Sequence, residues 1–450
     1  MQKSVLFMLC WFVLPIKADF FSALDAYEQG KFETAYQQFQ ELAVIGEKRA
    51  QFNLGVMYFQ GQHVTKDINQ AYAWIRLATD SETMNEVHIG ALKQIEKQLT
   101  DLPAAEKLYT QLVDQYSTEV LIDSLYPKLI STNGGASFNA EPAKIVQPRY
   151  PRGAAMKNVQ GWTRFSFDLD NKGVPRNIHL IEAFPPNVFE KPSIKAIYQW
   201  RFKPATDSQG NPVAQKNIQY SMQFRLAGVG SLELREGLYQ EQLKLAQQGD
   251  ANAQFRIGYY EKKLNVSKGK ENPNAWFLKA ALQGQTEAQY LLGQSLIYGQ
   301  GCLQDQSKGV EWLTRAANSG QTEAKLLLAS NASQINTLES QKRSVEYTKD
   351  IETLSPQVII DQAWMYATSA FEEIRNPKLA IELVNKLPRN SFKDEITTNE
   401  IKAAAFAAMG KFKKAVSYQD DALEEADDLD ADLELIKTRL ASYQLKKTWF

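Results

Sequence analysis

The feature that most constrains the fold of this chain is a pattern of small and aromatic residues that returns at a fixed spacing. One copy begins at Ala288 and starts again at Ala324, 36 residues further on. The same offsets fit the segment that begins at Ala50, and a looser copy begins at Ala253. A single repeat unit cannot bury its own apolar face, so it must stack on neighbouring units or flanking helices. The pattern therefore predicts arrays of stacked helix pairs.

The residues inside each copy indicate how the two helices of a unit pack. Small residues such as Gly55 allow two antiparallel helices to approach closely, and Trp74 fills the space between neighbouring units. Gly61 stands where the chain must turn, because glycine accepts a left-handed backbone. These segments resemble Sel-one-like repeats, which are relatives of tetratricopeptide repeats. The resemblance implies helical arrays over residues 19–126 and 233–332.

The last hundred residues also have helical spacing. Small residues that include Ala404, Ala408 and Ala415 form a pattern that resembles a tetratricopeptide unit, which predicts helices over residues 335–450. Nine carboxylates then occur close together, and we expect a solvated helix face or a helix cap, with a cation or partner site as the alternative. They are Asp420, Asp421, Glu424, Glu425, Asp427, Asp428, Asp430, Asp432 and Glu434.

Between the two arrays the composition and the periodicity both change. Residues 127–147 contain Gly, Pro, Asn and Ser at short intervals and are interpreted as a linker. Apolar residues then alternate over 163–169 and 216–226, with a further strand between them and a helix expected over 189–199. A sheet with one covered and one wet face is antiparallel or mixed. The predicted fold class is therefore α+β: mostly helical repeat arrays, with a small domain at 148–226 built from a three-stranded antiparallel sheet and a helix.

Several motifs of this small domain occur in a characteristic order. Tyr150-Pro151 precedes the first strand, Trp200-Arg201-Phe202-Lys203-Pro204 follows the helix, and Gly210-Asn211-Pro212-Val213 precedes the last strand. Together with the alternating strand they resemble the C-terminal domain of the TonB energy transducers. Such a domain receives an extended segment of an outer-membrane transporter, which adds a strand beside its last strand. The resemblance implies the same partner-binding edge here, with this outward row: Asn217, Gln219, Ser221, Gln223 and Arg225.

The first eighteen residues have the pattern of a secretory signal peptide. Lys3 precedes an apolar run from Val5 to Leu14 that is too short to span about 30 Å of hydrocarbon, and Ala18 offers a small residue for cleavage. We therefore predict export to the periplasm of a Gram-negative-type envelope, with an uncleaved membrane anchor as the alternative and peripheral membrane association left open. An energy transducer carries a membrane anchor and a long Pro-rich linker, so the leader and the repeats argue against direct energy transduction.

The composition limits the chemistry that the chain can carry. Lys and Arg number 51 against 52 Asp and Glu, so the net charge gives no reason to expect nucleic acid as a partner. With 2 Cys and 3 His in the chain, neither a disulfide framework nor much metal chemistry is expected. His63, His88 and His179 are expected in turns or on the surface, and Cys302 as a buried apolar filler. No phosphate-loop, His-Glu-x-x-His or Gly-x-Ser-x-Gly motif occurs, so we predict no enzymatic activity, no cofactor and no metal site.

The charge is distributed unevenly along the chain. Residues 142–226 hold thirteen Lys and Arg against five Asp and Glu, so a basic domain lies in an acidic frame. It could attract acidic partner segments or anionic envelope surfaces, although a merely solvated basic surface is the favoured interpretation. We expect a periplasmic protein–protein interaction adaptor that binds an envelope or transporter segment by strand addition, in a transport-related process. The alternative is a helical-repeat scaffold of the cell envelope with the TonB-like fold as a spacer, and a cell-wall enzyme regulator or hydrolase ranks last.

Overall fold

The protein is described here by a computed structural model that divides into two compact units, each built from two separate stretches of the chain. The first unit comprises residues 1–135 and 233–324, and the second comprises 136–232 and 325–450. The predicted leader lies outside the described residues. None of the helices that the structure describes is long and apolar enough to cross a membrane. The described residues are 19–79, 86–130, 141–185, 187–206, 212–226, 236–264, 271–387, 395–429 and 431–449.

Helices predominate in both units, and the strands all lie between residues 142 and 224. The order before the strands is α1 (Phe20–Glu28), α2 (Phe32–Ala43), α3 (Lys48–Gln60), α4 (Ile68–Thr79), α5 (Glu86–Glu96), α6 (Leu102–Tyr116) and α7 (Thr118–Ser124). The small domain follows as β1 (Pro142–Lys144), α8 (Arg152–Met156), β2 (Gly161–Leu169), β3 (Pro175–Phe184), α9 (Glu190–Tyr198), β4 (Arg201–Phe202), β5 (Ala205–Thr206), β6 (Pro212–Val213) and β7 (Gln215–Phe224). The remaining helices are α10 (Glu236–Gln247), α11 (Ala251–Leu264), α12 (Pro273–Leu282), α13 (Thr286–Tyr298), α14 (Gln306–Asn318), α15 (Thr322–Ser333), α16 (Leu338–Thr348), α17 (Pro356–Thr368), α18 (Pro377–Lys386), α19 (Glu395–Ala408), α20 (Phe412–Asp428) and α21 (Glu434–Gln444).

The same type of hydrogen bond recurs in the repeats of the first unit. The side-chain amide of Gln51 donates to the carbonyl of Ala43, eight residues earlier, at 2.9 Å. Gln254 donates in the same way to the carbonyl of Ala246 at 3.1 Å. Gln289 donates to the carbonyl of Ala281 at 3.2 Å. Each of these carbonyls lies at the end of the preceding helix and also accepts from the amide of the glycine three residues later, so the glutamine adds a second bond that ties one repeat to the next.

The small residues of the repeats lie where helices approach most closely, as their spacing predicts. A Cβ atom added at Gly293 would lie 2.8 Å from the side chain of Leu313 in α14. One added at Gly258 would lie 2.7 Å from the ring of Phe277 in α12. Gly61 adopts the predicted left-handed backbone, with φ of 70°, at the end of α3. Glycine at these positions is therefore required by packing or by the turn, and a larger side chain would push the helix pair apart.

Two buried side chains of α14 connect the second run of repeats to the N-terminal helices. Trp312 is fully buried, and its indole N–H donates to the carbonyl of Leu125 at 3.0 Å. The ammonium of Lys308 donates to the carbonyls of Ile122 and Tyr126, at 2.8 and 3.0 Å. The carbonyls at the end of α7 are therefore satisfied by residues almost two hundred positions later. This pairing, together with a shared hydrophobic core, makes one unit of the two stretches that the sequence predicts as separate arrays.

The segment interpreted as a linker is paired at both of its described ends. The amide of Leu303 donates to the carbonyl of Lys128 at 2.9 Å, and the amide of Ile130 donates to the carbonyl of Gly301 at 3.2 Å. At the other end, β1 pairs with β4 of the small domain. Residues 131–140 of the expected linker lie outside the described residues. The segment therefore belongs to folded elements on both sides, whereas its composition alone indicates only a flexible connection.

The small domain has the predicted α+β architecture. Its main sheet is antiparallel in the order β3-β2-β7, and two short strand pairs, β1 with β4 and β5 with β6, lie beside it. Helix α9 covers one face, where the strands contribute Phe165 and Phe167 and the chain after the helix contributes Trp200. The indole N–H of Trp200 donates to the carbonyl of Val146 at 2.8 Å. The motif residues that define this domain in the sequence are thus mainly the residues that hold the helix on the sheet.

The C-terminal helices share one continuous hydrophobic core with the small domain. Ile360 and Ala363 of α17 and Ile401 of α19 belong to the same buried cluster as Phe165 and Phe167 of β2. The structure is therefore mostly helical, with one small antiparallel sheet, which confirms the predicted fold class. The shared core also means that the small domain is built against the C-terminal helices as part of the second unit.

Candidate functional site

Strand β7 forms one edge of the main sheet. It pairs with β2 over its length, in a register that places Phe165 opposite Tyr220 and Arg164 opposite Ser221. Among the strands that the structure describes, none pairs with its other side. A strand with an unpaired side presents a row of backbone N–H and C=O groups that can accept a further strand. Within the described part of the chain, β7 is therefore an outer strand with an unpaired side.

The direction of each amide in β7 follows from a contact at the opposite edge. The amide of Leu180 in β3 donates to the side-chain oxygen of Gln357, so it points away from β2. In an antiparallel pair, the backbone N–H and C=O groups of two directly opposite residues either all point towards the neighbouring strand or all point away from it. The direction alternates from one residue to the next. The backbone groups of Phe165, which lies opposite Leu180, therefore face β7 and those of Tyr220 face β2. The N–H and C=O of Ser221 then point to the unpaired side.

The other edge of the sheet, formed by β3, is contacted by a helix. Gln357 lies in the first turn of α17, and its side-chain oxygen is 3.3 Å from the amide of Leu180. The side-chain nitrogen of Gln357 lies 3.0 Å from a carboxylate oxygen of Asp361 and 3.4 Å from Nδ1 of His179 in β3. A helix therefore satisfies part of the β3 edge. The two outer strands of the sheet are β3, which contacts this helix, and β7, which lies at the opposite edge.

The side chains of β7 alternate as predicted. Ile218, Met222 and Phe224 are buried, and the ring of Phe224 stacks on Phe189 with centroids 4.2 Å apart. Ser221 and Gln223 are exposed on the other face. This burial pattern fixes the register of the strand, since a shift by one residue would expose the whole apolar row.

The five residues predicted as the partner-binding row differ in where they lie relative to strand β7. Ser221 lies within the strand, where its hydroxyl accepts a hydrogen bond from Nε of Arg164 at 3.1 Å. Arg225 is exposed just beyond the end of β7. The side chains of Asn217 and Gln219 lie outside the described residues, although their backbone belongs to the strand. The role of this row in binding stays a prediction.

The basic surface of the small domain is partly neutralised by the acidic C-terminal stretch. Arg176 at the start of β3 pairs with Asp170, 3.0 Å away, and with Asp432. Lys195 on α9 pairs with Glu425 at 2.5 Å. All of these groups lie in the second unit, so the pairs fasten the C-terminal helices to the side of the domain that carries β3 and α9.

The expectation of a solvated acidic face is therefore wrong for part of that stretch. Glu425 and Asp432 are 23% and 22% exposed and pair with Lys195 and Arg176, whereas Glu434 pairs with Lys172 and is 61% exposed, as expected of a solvated face. The physical reason is tertiary: the basic domain lies against the end of α20 and the start of α21. Asp430 lies outside the described residues. The remaining five carboxylates are exposed as expected: Asp420, Asp421, Glu424, Asp427 and Asp428.

His63 and His179 belong to different units, and the side chain of His88, which lies in α5, is outside the described residues. His63 is exposed in a turn, as expected, and its ring lies 5.3 Å from that of Tyr36. His179 instead lies beside Asp361, whose carboxylate is 3.9 Å from its Nδ1. Burial raises the pKa of Asp361, and hydrogen bonds from Ser330 and Gln357 act against that rise. Over the described ranges, no group of three or more His, Cys, Asp or Glu is arranged to hold a metal ion.

Cys302 is buried between the helices of a repeat, and its thiol donates to the carbonyl of Ser295 at 3.4 Å. Burial raises the pKa of the Cys302 thiol to about 12. The reactive form of a thiol is the thiolate, so this sulfur is both inaccessible and protonated at neutral pH.

We expect Cys302 to resist iodoacetamide in the folded protein at about pH 8 and to react fully in denaturant. Mass spectrometry of the peptide that contains Cys302 measures the labelled fraction, with a small free thiol as the reference for the unhindered rate. Labelling of the native protein at the reference rate would contradict the buried position.

Comparisons with known proteins identify both parts of this architecture. The family model described as Gram-negative bacterial TonB protein C-terminal matches residues 146–226. The Sel1 repeat model matches residues 48–81, 251–285 and 286–321. The chain therefore contains a TonB C-terminal domain and three Sel1 repeats, which confirms the two resemblances in the sequence. The matched segments contain residues that hold the fold together, and the TonB match also contains β7, the strand with the open edge.

Curated relatives named Protein TonB match part of this chain. Protein TonB of Yersinia enterocolitica is 27% identical over 120 residues, which cover 24% of this chain and 44% of that protein. Protein TonB of Klebsiella pneumoniae is 33% identical over 84 residues, which cover 19% of this chain and 32% of that protein. This chain thus spans less than half the length of these relatives.

Two solved structures match the chain at low TM-scores. A protective antigen of uropathogenic Escherichia coli that displays an SLR fold is 18% identical, with a TM-score of 0.27, and the match covers 95% of this chain and 80% of that one. A Sel1 repeat protein from Oxalobacter formigenes is 20% identical, with a TM-score of 0.28, and the match covers 42% of this chain and 85% of that one.

Proposed function

We propose that this protein is a periplasmic adaptor that binds an extended segment of an envelope protein, such as an outer-membrane transporter, by strand addition along β7. The observation that carries the proposal is the difference between the two edges of the sheet. An amide of the β3 edge donates to Gln357 of α17, whereas the other outer strand, β7, has no strand partner on its open side among the described elements. The TonB C-terminal domain match at 146–226 supports the same edge.

The chemistry of such binding lies in the backbone. Ser221 and Gln223 point their N–H and C=O groups to the unpaired side, so an added strand can form ladder hydrogen bonds with both residues. Their exposed side chains lie on the face opposite α9 and would set the register and the preferred sequence of the partner. The buried row on the other face keeps β7 flat and fixed before the partner arrives, so little entropy is lost in ordering the receiving strand.

The repeats and the C-terminal helices have a supporting role in this proposal. The ion pairs of Arg176 and Lys195 hold the domain from the side of β3 and α9, which leaves β7 on the far side of the sheet. The Sel1 repeats would engage a second protein and make the molecule an adaptor. The proposal includes export to the periplasm, and it assigns the protein a binding role without enzymatic activity.

Replacing Ser221 with proline should weaken the binding of a partner segment by at least about tenfold, whereas Ser221→Ala should bind nearly as the parent does. Both variants lose the hydroxyl that Arg164 contacts, so they differ only in the backbone. Proline removes an amide that faces the unpaired side, and edge strands tolerate proline at such positions. Titration calorimetry of the full-length exported protein with synthetic peptides from periplasm-facing segments of outer-membrane transporters measures the difference.

The comparison requires that both variants be folded, so their thermal midpoints must agree within a few degrees. Equal affinity of a folded Ser221→Pro variant and the parent would rule out strand addition at β7. If peptides bind neither the variants nor the parent, transporters are not the partner, and the repeat-scaffold alternative becomes the leading explanation.

A further inference from the structure

The cations of the small domain fall into two groups. One group forms ion pairs and includes Lys172, Arg176, Lys191, Lys195 and Lys203. The other group is exposed and consists of Arg149, Arg152, Lys157 and Arg225. Within the part of the chain that the structure describes, none of these four side chains forms an ion pair or a hydrogen bond. Neighbouring carboxylates therefore neutralise one group of cations and leave the other uncompensated.

The four exposed cations lie at one end of the sheet, where β2 begins and β7 ends. The ring centroid of Tyr150 is 5.8 Å from that of Phe224, the last residue of β7. The amide of Leu226 donates to the side-chain oxygen of Gln160, immediately before β2, at 3.1 Å. These two contacts join the end of β7 to the segment that contains α8. We call this surface the α8 end, and it comprises residues 149–160 and 224–226.

Helix α8 turns one apolar side chain outwards beside these cations. Ala154 is buried, so it marks the side of the helix that packs on the domain. Arg152 and Met156 stand two positions before and after Ala154, which places both on the opposite side of the helix. Met156 is 81% exposed. The α8 end therefore presents a flexible apolar side chain on a positively charged surface.

The sequence around α8 contains no acidic residue that could neutralise this surface. Residues 142–167 hold five Lys and Arg and no Asp or Glu. The nearest carboxylate before them in the chain, Glu141, pairs with Lys203. An uncompensated positive surface attracts anions over about a Debye length, roughly 8 Å at physiological ionic strength. The ligand of the α8 end is therefore expected to be anionic.

The arrangement of the cations favours a membrane surface over an acidic peptide. Specific recognition of a carboxylate uses an arginine whose guanidinium is held in place by neighbouring groups. No hydrogen bond in the described part of the chain holds the side chains of Arg149, Arg152 or Arg225 in this way. Unconstrained cations beside an exposed apolar side chain suit a layer of phospholipid headgroups, which requires charge and a shallow apolar contact but no fixed geometry.

We propose that the α8 end binds the surface of a phospholipid membrane that contains anionic headgroups. The four cations lie at the level of the phosphates, and Met156 enters the boundary between the headgroups and the acyl chains. Each cation near such a surface changes partitioning by about fivefold, so four cations and one methionine give a reversible attachment. The proposal does not depend on strand addition, because no backbone group of β7 takes part.

The test is co-sedimentation of the whole exported protein with phosphatidylcholine vesicles that contain either no or about 30% phosphatidylglycerol, in about 0.1 M salt. We expect the protein to partition onto the anionic vesicles at least about a hundredfold more strongly. Salt at about 1 M should abolish the difference, because it screens exposed charges. Arg152→Gln combined with Lys157→Gln should weaken partitioning by about 25-fold, which is about fivefold for each lost cation.

Lys172→Gln combined with Lys203→Gln is the matched control, because it changes the net charge of the protein by the same amount. Lys172 lies in the turn after β2, and the amide of Phe202 donates to the carbonyl of Gly173 at 2.9 Å. Both lysines therefore lie at the far end of the sheet. Strand β2 has nine residues and spans about 26 Å, which exceeds the Debye length. Partitioning of this control should change by less than about twofold.

Gly153 allows the surface charge to be changed in both directions at one position. A Cβ atom added there would meet no atom within 4 Å, so a longer side chain fits without rearrangement. Gly153→Lys should strengthen partitioning about fivefold, and Gly153→Glu should weaken it about fivefold. Both residues favour a helix more than glycine does, so the thermal midpoint of neither variant should fall.

A second measurement locates the contact on the protein. Met156→Cys introduces a reactive thiol, and Cys302 does not compete with it because Cys302 is buried. An environment-sensitive fluorophore on the new thiol should shift its emission to shorter wavelength on anionic vesicles, since it enters a less polar layer. The same fluorophore on Lys203→Cys should not shift.

Four results overturn the proposal. Equal partitioning onto both kinds of vesicle, or onto neither, means that the cations are merely solvated. Equal losses in the two double variants mean that net charge, and not the α8 end, attracts the membrane. If the protein ignores anionic vesicles yet binds a peptide of alternating Gly and Glu, and the double variant of Arg152 and Lys157 does not, the α8 end recognises a protein segment. Strand addition survives each of these results, because peptide binding to β7 is measured without vesicles.

Discussion

Replacing Trp312 with alanine should lower the free energy of unfolding of the first unit by about 3–5 kcal/mol. The ring is fully buried at the junction between α14 and the end of α7, so its removal leaves a large cavity. The carbonyl of Leu125 also loses the indole N–H that satisfies it at 3.0 Å. Both effects act at the position where the two stretches of the unit join.

Chemical denaturation followed by circular dichroism measures the change, and Trp312→Phe provides the graded control. Phenylalanine restores most of the apolar volume and leaves Leu125 unsatisfied, so it should recover part of the loss. Damage in a repeat array spreads mainly to nearest neighbours, and amide exchange should therefore increase first in α7, α13 and α14. A midpoint that does not move in Trp312→Ala would mean that the ring is not buried in solution.

Replacing Arg176 with methionine should destabilise the second unit by about 2–3 kcal/mol. The guanidinium is 25% exposed and lies between Asp170 and Asp432, which are 23% and 22% exposed. Its removal leaves two largely buried carboxylates facing each other without a cation. Part of the attraction between the small domain and the C-terminal helices is then replaced by repulsion.

Lys172 is the matched control for this experiment. It pairs with Glu434 of the same acidic stretch, but both side chains are 61% exposed. Exposed pairs contribute little because water screens them, so Lys172→Met should leave the denaturation midpoint unchanged. Raising the salt concentration should reduce the difference between the Arg176 variant and the parent only slightly, since buried pairs are screened less than exposed ones. Equal losses in the two variants would contradict a special position for Arg176.

The elements that could be predicted from the sequence are those whose residues repeat or alternate. Ala50, Ala253 and Ala288 mark the repeats because stacked units impose the same packing at the same offset. The alternation of Ile218, Met222 and Phe224 specifies a strand with one buried face, and all three are buried. Such periodic patterns involve residues that are close together in the sequence, so they can be recognised in a single sequence.

The candidate site could be predicted only in part. The alternation in the sequence indicates β7 and its outward row, but it is only the resemblance to the TonB C-terminal domain that implies an open edge there, and the sequence does not show what lies at the opposite edge. The contact at that opposite edge is made by Gln357, which lies 177 positions from Leu180 and belongs to a helix whose sequence gives no sign of contact with the sheet. The same holds for the ion pairs of the acidic stretch, because charge along the chain does not show which opposite charge will lie near it.

The sequence by itself therefore determined the helical repeats, the three-stranded sheet and the turns at glycines such as Gly61, because local backbone preference and periodic burial are written in neighbouring residues. Only the tertiary structure decided that helices before and after the small domain form one unit through Trp312 and Lys308. It alone decided that Thr286 is buried while Thr322, in an identical five-residue segment, is exposed. The physical reason is that burial and charge pairing depend on segments that meet only after the chain has folded.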